Sequence, residues 1–171
     1  MVIWVKQIGA HEFKIRAAQM QDRAAVNAII HYWAEQYQDL TLRLFKFEEV
    51  LNEKPVVCQI NSRVIGYADS YRVFLTADLA DNTSGIGTTL LAAYMHGIDE
   101  SKRTVRVAML RRYYGKMSHI LEKLAEALGL DIKELPGSAV EITVKREVTM
   151  AALSKNVERF LESKGWRKEN G

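Results

Sequence analysis

The chain has 171 residues, 48% of them hydrophobic and 26% charged, and its formal net charge is +3. That composition fits one globular domain with a sizeable core and excludes a disordered polymer. No apolar run reaches about eighteen residues and the first residues lack a leader's cleavage pattern, so a cytoplasmic protein without a membrane span is expected. Cys58 is the sole cysteine, which rules out an internal disulfide and suggests a buried thiol. His11, His31, His96 and His119 are scattered without metal-ligand spacing, so no metal site is expected.

In chain order, "MVIWVKQIG" reads as a short leading strand, and "FKIRAA" (13–18) alternates as a half-buried strand does. The next nineteen residues, 19–37, carry Val26, Ile29, Ile30 and Trp33 at helical spacing, with Asp22 placed as an N-cap. "FKFEEVLNE" (45–53) reads as a second short helix, limited by Pro55. "VVCQI" (56–60), a turn at Asn61-Ser62 and "RVIGYA" (63–68) predict a hairpin, and "RVFLTADL" (72–79) a further strand.

"DNTSGIGTTLL" (81–91) then opens a helix over 87–100 with Leu90, Leu91, Tyr94, Met95 and Ile98 on one face. "TVRVAML" (104–110) is expected as a strand, and 113–129 as a helix stopped by Gly129. "LDIKEL" and "AVEITVKREV" flank a Pro-Gly-Ser turn, and 150–166 form a last amphipathic helix. The pattern predicts an α+β fold with a mixed, mostly antiparallel sheet, helices on both faces and an extra C-terminal helix. One domain over 1–171 is expected, with a core at about 13–148 and an extension at 149–171.

Two segments suggest ligands. Gly85 and Gly87 strip side chains from a helix start, where unpaired N–H groups and the positive end of the dipole suit an anion, although a plain helix start reads the same way. Arg103, Arg106, Arg111, Arg112 and Lys116 crowd into fourteen positions, which suits phosphate or nucleic acid but also an ordinary solvated face.

Taken together, these stretches resemble the GNAT superfamily of N-acyltransferases. "FKIRAAQMQDRAAVNAI" is similar to that family's first strand and helix, and "RVIGYA" to its third strand. "LTADLADNTSGIGTTLL" is similar to its fourth strand and pyrophosphate loop. The resemblance implies acetyl coenzyme A as the donor, an amine as the acceptor, and a slot between two parallel strands that splay apart for the pantetheine arm. It implies cofactor contacts at Leu79, Asn82, Ser84, Gly85, Ile86, Gly87, Thr88 and Thr89, with a threonine hydroxyl from Thr88 or Thr89 aiding the pyrophosphate. It also implies a base, for which Asp78 on the fourth strand comes first, ahead of Asp81 and Asp69.

The sequence departs from the family's pattern at several positions. Asn82 stands where Gln or Arg is usual and Asp81 adds negative charge; Ser118 replaces a frequent Asn, and Ala125 the frequent Tyr that protonates the leaving thiolate. Tyr114, with Tyr113 and Tyr94 as alternatives, is the expected substitute. A second register, with Arg112, Gly115 and Met117 in the loop and "AVEITVKREV" as fifth strand, is the weaker alignment because the chain then ends before the last two strands. The rival to an enzyme is a catalytically silent domain that binds protein or nucleic acid through its arginines. The extra C-terminal helix would cover an edge strand or make a homodimer contact.

Overall fold

The computed structural model describes residues 2–80, 85–108, 121–136 and 139–170. Strands β1 (Val2–Ile8) and β2 (His11–Ala17) form a hairpin, followed by a 3-10 turn and helix α1 (Arg23–Tyr37). Two one-turn helices, α2 (Leu40–Arg43) and α3 (Phe47–Val50), lead to β3 (Val56–Ile60), β4 (Arg63–Ala68) and β5 (Val73–Leu75). After α4 (Ala77–Ala80) come α5 (Ile86–Met95) and β6 (Thr104–Ala108). A helix over 121–128, α6, precedes β7 (Leu130–Leu135) and β8 (Ala139–Val144), and α7 (Met150–Ser163) and β9 (Arg167–Asn170) follow.

The strands form two antiparallel sheets, one ordered β5-β4-β3-β2-β1-β9 and the other β6-β8-β7. Among the described residues no ladder joins β5 to β6. Between the sheets the described residues contribute one backbone hydrogen bond, from Arg106 N–H to the Ser70 carbonyl at 3.2 Å. This is the α+β arrangement expected, with the parting where the splay was expected. The second loop register is excluded by this order. It needs 139–148 as a strand parallel to 104–110, whereas β8 pairs antiparallel with β6, Val105 opposite Ile142.

The core has two parts. On one face of the large sheet, Val26, Ile30 and Trp33 of α1 pack with Phe45 and Phe47 against Val57, Tyr67 and Phe74. On the other face α5, α6 and α7 pack with β1, β2 and the small sheet. Every described side chain of α5 except Gly87 is buried or nearly so, which is why its sequence is apolar all round rather than striped. A Cβ at Gly66 would lie 2.7 Å from Leu90 Cδ1 and 2.8 Å from Leu75 Cδ2, so α5 rests on a bare stretch of β4.

Three local expectations are corrected. The strand expected over 72–79 ends at Leu75, and Asp78 lies in the short helix α4 instead. Asp22 does not cap α1 with its side chain. Its carboxylate accepts two hydrogen bonds from Arg16, each 2.8 Å, and one from the Gln19 N–H. The extension does more than add a helix, because β9 pairs with β1 from Val2 opposite Asn170 to Val5 opposite Arg167. The edge is thus covered by the chain's own last strand.

Burial pushes the Asp22 carboxyl up, but the Arg16 hydrogen bonds, the Gln19 amide and the Arg16 charge outweigh it and leave it below 3.8. A depressed folded pKa contributes stability that is present above the unfolded value and lost as pH falls through the folded one. Asp22→Asn should therefore cost about 3 kcal/mol near neutral pH, because Arg16 is left without its counter-charge. In denaturant melts the gap to the parent should narrow as pH falls below 3.8; a gap independent of pH would contradict this account.

Candidate functional site

The site begins with how α5 starts. Gly85 has φ 75° and ψ 8°, a left-handed conformation that glycine adopts without cost, and a Cβ built on it would meet nothing within 4 Å. The first turn closes with Thr89 N–H on the Gly85 carbonyl at 3.0 Å. No side chain caps the helix, so among the described residues the N–H groups of Ile86, Gly87 and Thr88 have no acceptor. Backbone N–H groups without an acceptor among the described residues, at a helix start free of side chains at Gly85 and Gly87, are what an anion needs. Thr89 does not supply a hydroxyl proton, since its Oγ1 donates to the Gly85 carbonyl at 2.8 Å. Thr88 is buried.

Beside this helix start runs β5. A Cβ at Gly87 would touch Val73 Cγ1 at 3.8 Å, which sets the helix N-terminus against the strand. In the β4–β5 ladder Arg72, Phe74 and Thr76 direct their backbone groups to β4, as the Thr76 N–H to Ile65 carbonyl bond of 2.9 Å confirms. By alternation Val73 and Leu75 direct theirs to the other side, toward the gap between the sheets. There the Leu75 carbonyl accepts from the Trp33 indole N–H at 2.7 Å. Trp33 in turn stacks on Tyr37 with ring centroids 5.8 Å apart. Thus α1 places an aromatic wall against the strand edge.

The apex of the gap is held by Asp69, which is fully buried. Its carboxylate accepts from the Tyr67 hydroxyl at 2.6 Å, the Tyr71 N–H at 2.7 Å and Arg72 Nη1 at 2.9 Å. Arg72 lies over the Phe45 ring, 4.9 Å from its centroid. Burial, then the Asp69 charge, pushes the Tyr67 phenol up and keeps it a donor. These bonds shape the turn whose Ser70 carbonyl meets Arg106.

The expected site residues fall out as follows. Gly85, Ile86, Gly87, Thr88 and Thr89 form the helix start. Leu79 lies in α4 with its N–H bonded to the Thr76 carbonyl at 3.0 Å, so that amide is not open to a ligand. The strand edge available instead is that of Val73 and Leu75. Asn82, Ser84 and Tyr114 lie outside the described residues. Asp78 is exposed, 3.4 Å from Arg63. The Thr76 hydroxyl, then Arg63, holds its carboxyl below the ordinary range, which makes it a weak base. Asp69 is fully buried and accepts from three donors, which commits it to the turn. Burial pushes the Tyr94 phenol up to about 12.

Of the basic cluster, Arg103 is committed internally: it bonds Glu100 and the carbonyls of Lys145 and Val148. Arg106 pairs with Glu141 at 3.1 Å. Arg111, Arg112 and Lys116 lie outside the described residues. Among the described residues no group of three or more His, Cys, Asp or Glu is arranged to hold a metal ion, and no helix is long and apolar enough to cross a membrane. Trp33 and Val73 were not foreseen as site residues. Trp33 sits at core spacing in α1, and only the fold reveals that its polar end reaches β5.

No family model and no curated protein matches the sequence. The fold matches a solved structure, the diaminobutyrate acetyltransferase EctA from Paenibacillus lautus in complex with L-2,4-diaminobutyric acid and coenzyme A. The TM-score is 0.52 at 12% identity, over 79% of this chain and 96% of that one. The fold is therefore GNAT-like, a mixed α+β arrangement with antiparallel sheets.

Trp33→Phe keeps the ring and removes the indole donor to Leu75. It should lower stability by about 1–3 kcal/mol if the carbonyl is left without a partner. Unchanged thermal and denaturant midpoints would show that the bond does not hold α1 to the strand edge.

Proposed function

We propose that the chain is an N-acetyltransferase that takes its acetyl group from acetyl coenzyme A and gives it to an amine. The observation that carries this reading is the start of α5, which among the described residues has no side-chain cap and lies beside a strand edge without a ladder partner. In this reading the N–H groups of Ile86, Gly87 and Thr88 hold the pyrophosphate, and Gly85 and Gly87 let it approach the backbone. Asn82 and Ser84 would extend the same cradle. Val73 and Leu75 offer N–H groups to the pantetheine arm and to the thioester carbonyl as charge develops on it. Acetyl coenzyme A supplies an activated thioester, and the chain's task is to orient it and to keep the acceptor amine neutral.

Asp78 is proposed to accept a hydrogen bond from water that relays the ammonium proton, because its low pKa does not suit it to hold the proton itself. Tyr114 is proposed as the donor to the leaving sulfur. The alternative is a silent domain working through its arginines; of these Arg103 is committed to the Lys145 and Val148 carbonyls, and Arg106 pairs with Glu141.

Calorimetry with acetyl coenzyme A and Gly87→Asp tests the proposal. A Cβ at position 87 meets only Val73 at 3.8 Å, so the variant should fold. It should bind at least about 100-fold more weakly, because a carboxylate then faces the phosphates. Equal affinity of variant and parent, or no binding by the parent, would refute the proposed site.

A further inference from the structure

At the other end of α5, about 15 Å from Gly85 by helix rise, a cavity of about 370 Å³ opens where β1, β2 and β3 meet the helix end. Its volume is within the range of small-molecule sites. The buried part of the lining is apolar, made by Trp4, Ile15 and Ala93, with half-buried Val56 and Ile98 beside them. Tyr94 completes this wall. Its hydroxyl is buried and finds no partner in hydrogen-bond geometry.

The charged lining divides into spent and unspent groups. Arg16 is closed on Asp22, and His96 on Glu158 at 3.1 Å. Lys54 and Lys102, by contrast, have no ion pair among the described residues, and neither has Asp99. Glu53 holds only the Ser70 hydroxyl at 3.5 Å. Lys54, Lys102, Glu53 and Asp99 therefore line the cavity together with its apolar floor. A ligand with one charge would leave one pair unanswered; a ligand carrying both charges on a short apolar body answers both.

We propose that this cavity binds a free apolar α-amino acid, its carboxylate toward Lys54 and Lys102, its ammonium toward Glu53 and Asp99, and its side chain on Trp4, Ile15 and Val56. The site is separate from the strand edge and the start of α5, and does not depend on the acetyl-transfer reading.

Calorimetric titration of the whole chain with L-leucine tests it. Saturable binding with a Kd between about 10 μM and 1 mM is expected. 4-Methylpentanoate, which lacks the ammonium, and 3-methylbutylamine, which lacks the carboxylate, should each bind at least about tenfold more weakly. Lys54→Glu combined with Lys102→Glu should weaken leucine at least about tenfold and leave the thermal midpoint unchanged. The proposal is overturned if leucine gives no saturable heat up to about 10 mM, if either single-charge analogue equals it, or if the double variant binds it normally. It is also overturned if coenzyme A competes with leucine, which would place the amino acid in the gap between the sheets.

Discussion

The structure depends on where two sheets stop being one. Among the described residues the Arg106 N–H on the Ser70 carbonyl is the single backbone hydrogen bond between them, and no ladder continues from it. A strand edge with unpaired N–H and C=O groups is costly if buried and hazardous if exposed. Here Asp69 fixes the turn that carries Ser70, and Trp33 takes the Leu75 carbonyl. Among the described residues the N–H groups of Val73 and Leu75 are left without a ladder partner, next to the start of α5. In the proposed function, the cofactor would lie along this strand edge.

The same economy appears at the chain's end. α7 and β9 are not an appendage: β9 supplies the outer neighbour of β1, and Glu158 of α7 accepts from both His96 and Lys168. Asn156 reaches the Leu128 carbonyl at the end of α6, and Ser154 receives the Gly97 N–H just past α5. The C-terminal segment thus grips the far ends of two helices on the core face. The cavity lies beside that grip, where the helix end, three strands and a short loop cannot pack flush.

Much of this was legible in the sequence, for reasons that can be named. The hairpin at Asn61-Ser62, the strand at 104 and the stop at Gly129 follow from period and turn chemistry that act locally. The glycine pair was legible as a helix start because the signal is in the backbone itself. Asp78 was misplaced because Val73, Leu75 and Leu79 suggest one continuous strand, whereas the chain turns into α4 after Thr76. Asp22 looked like a cap because a cap and an ion pair ask for the same side chain, and Arg16, one strand away, decided between them. The roles of Trp33 and Asp69 depend on partners that only the folded chain brings near.

The most direct measurement of the central claim is a 1H–15N NMR titration with coenzyme A. The account predicts that the largest amide shifts fall on Ile86, Gly87 and Thr88, with a second group at Val73 and Leu75. Shifts confined to other parts of the chain, or none at saturating ligand, would contradict it.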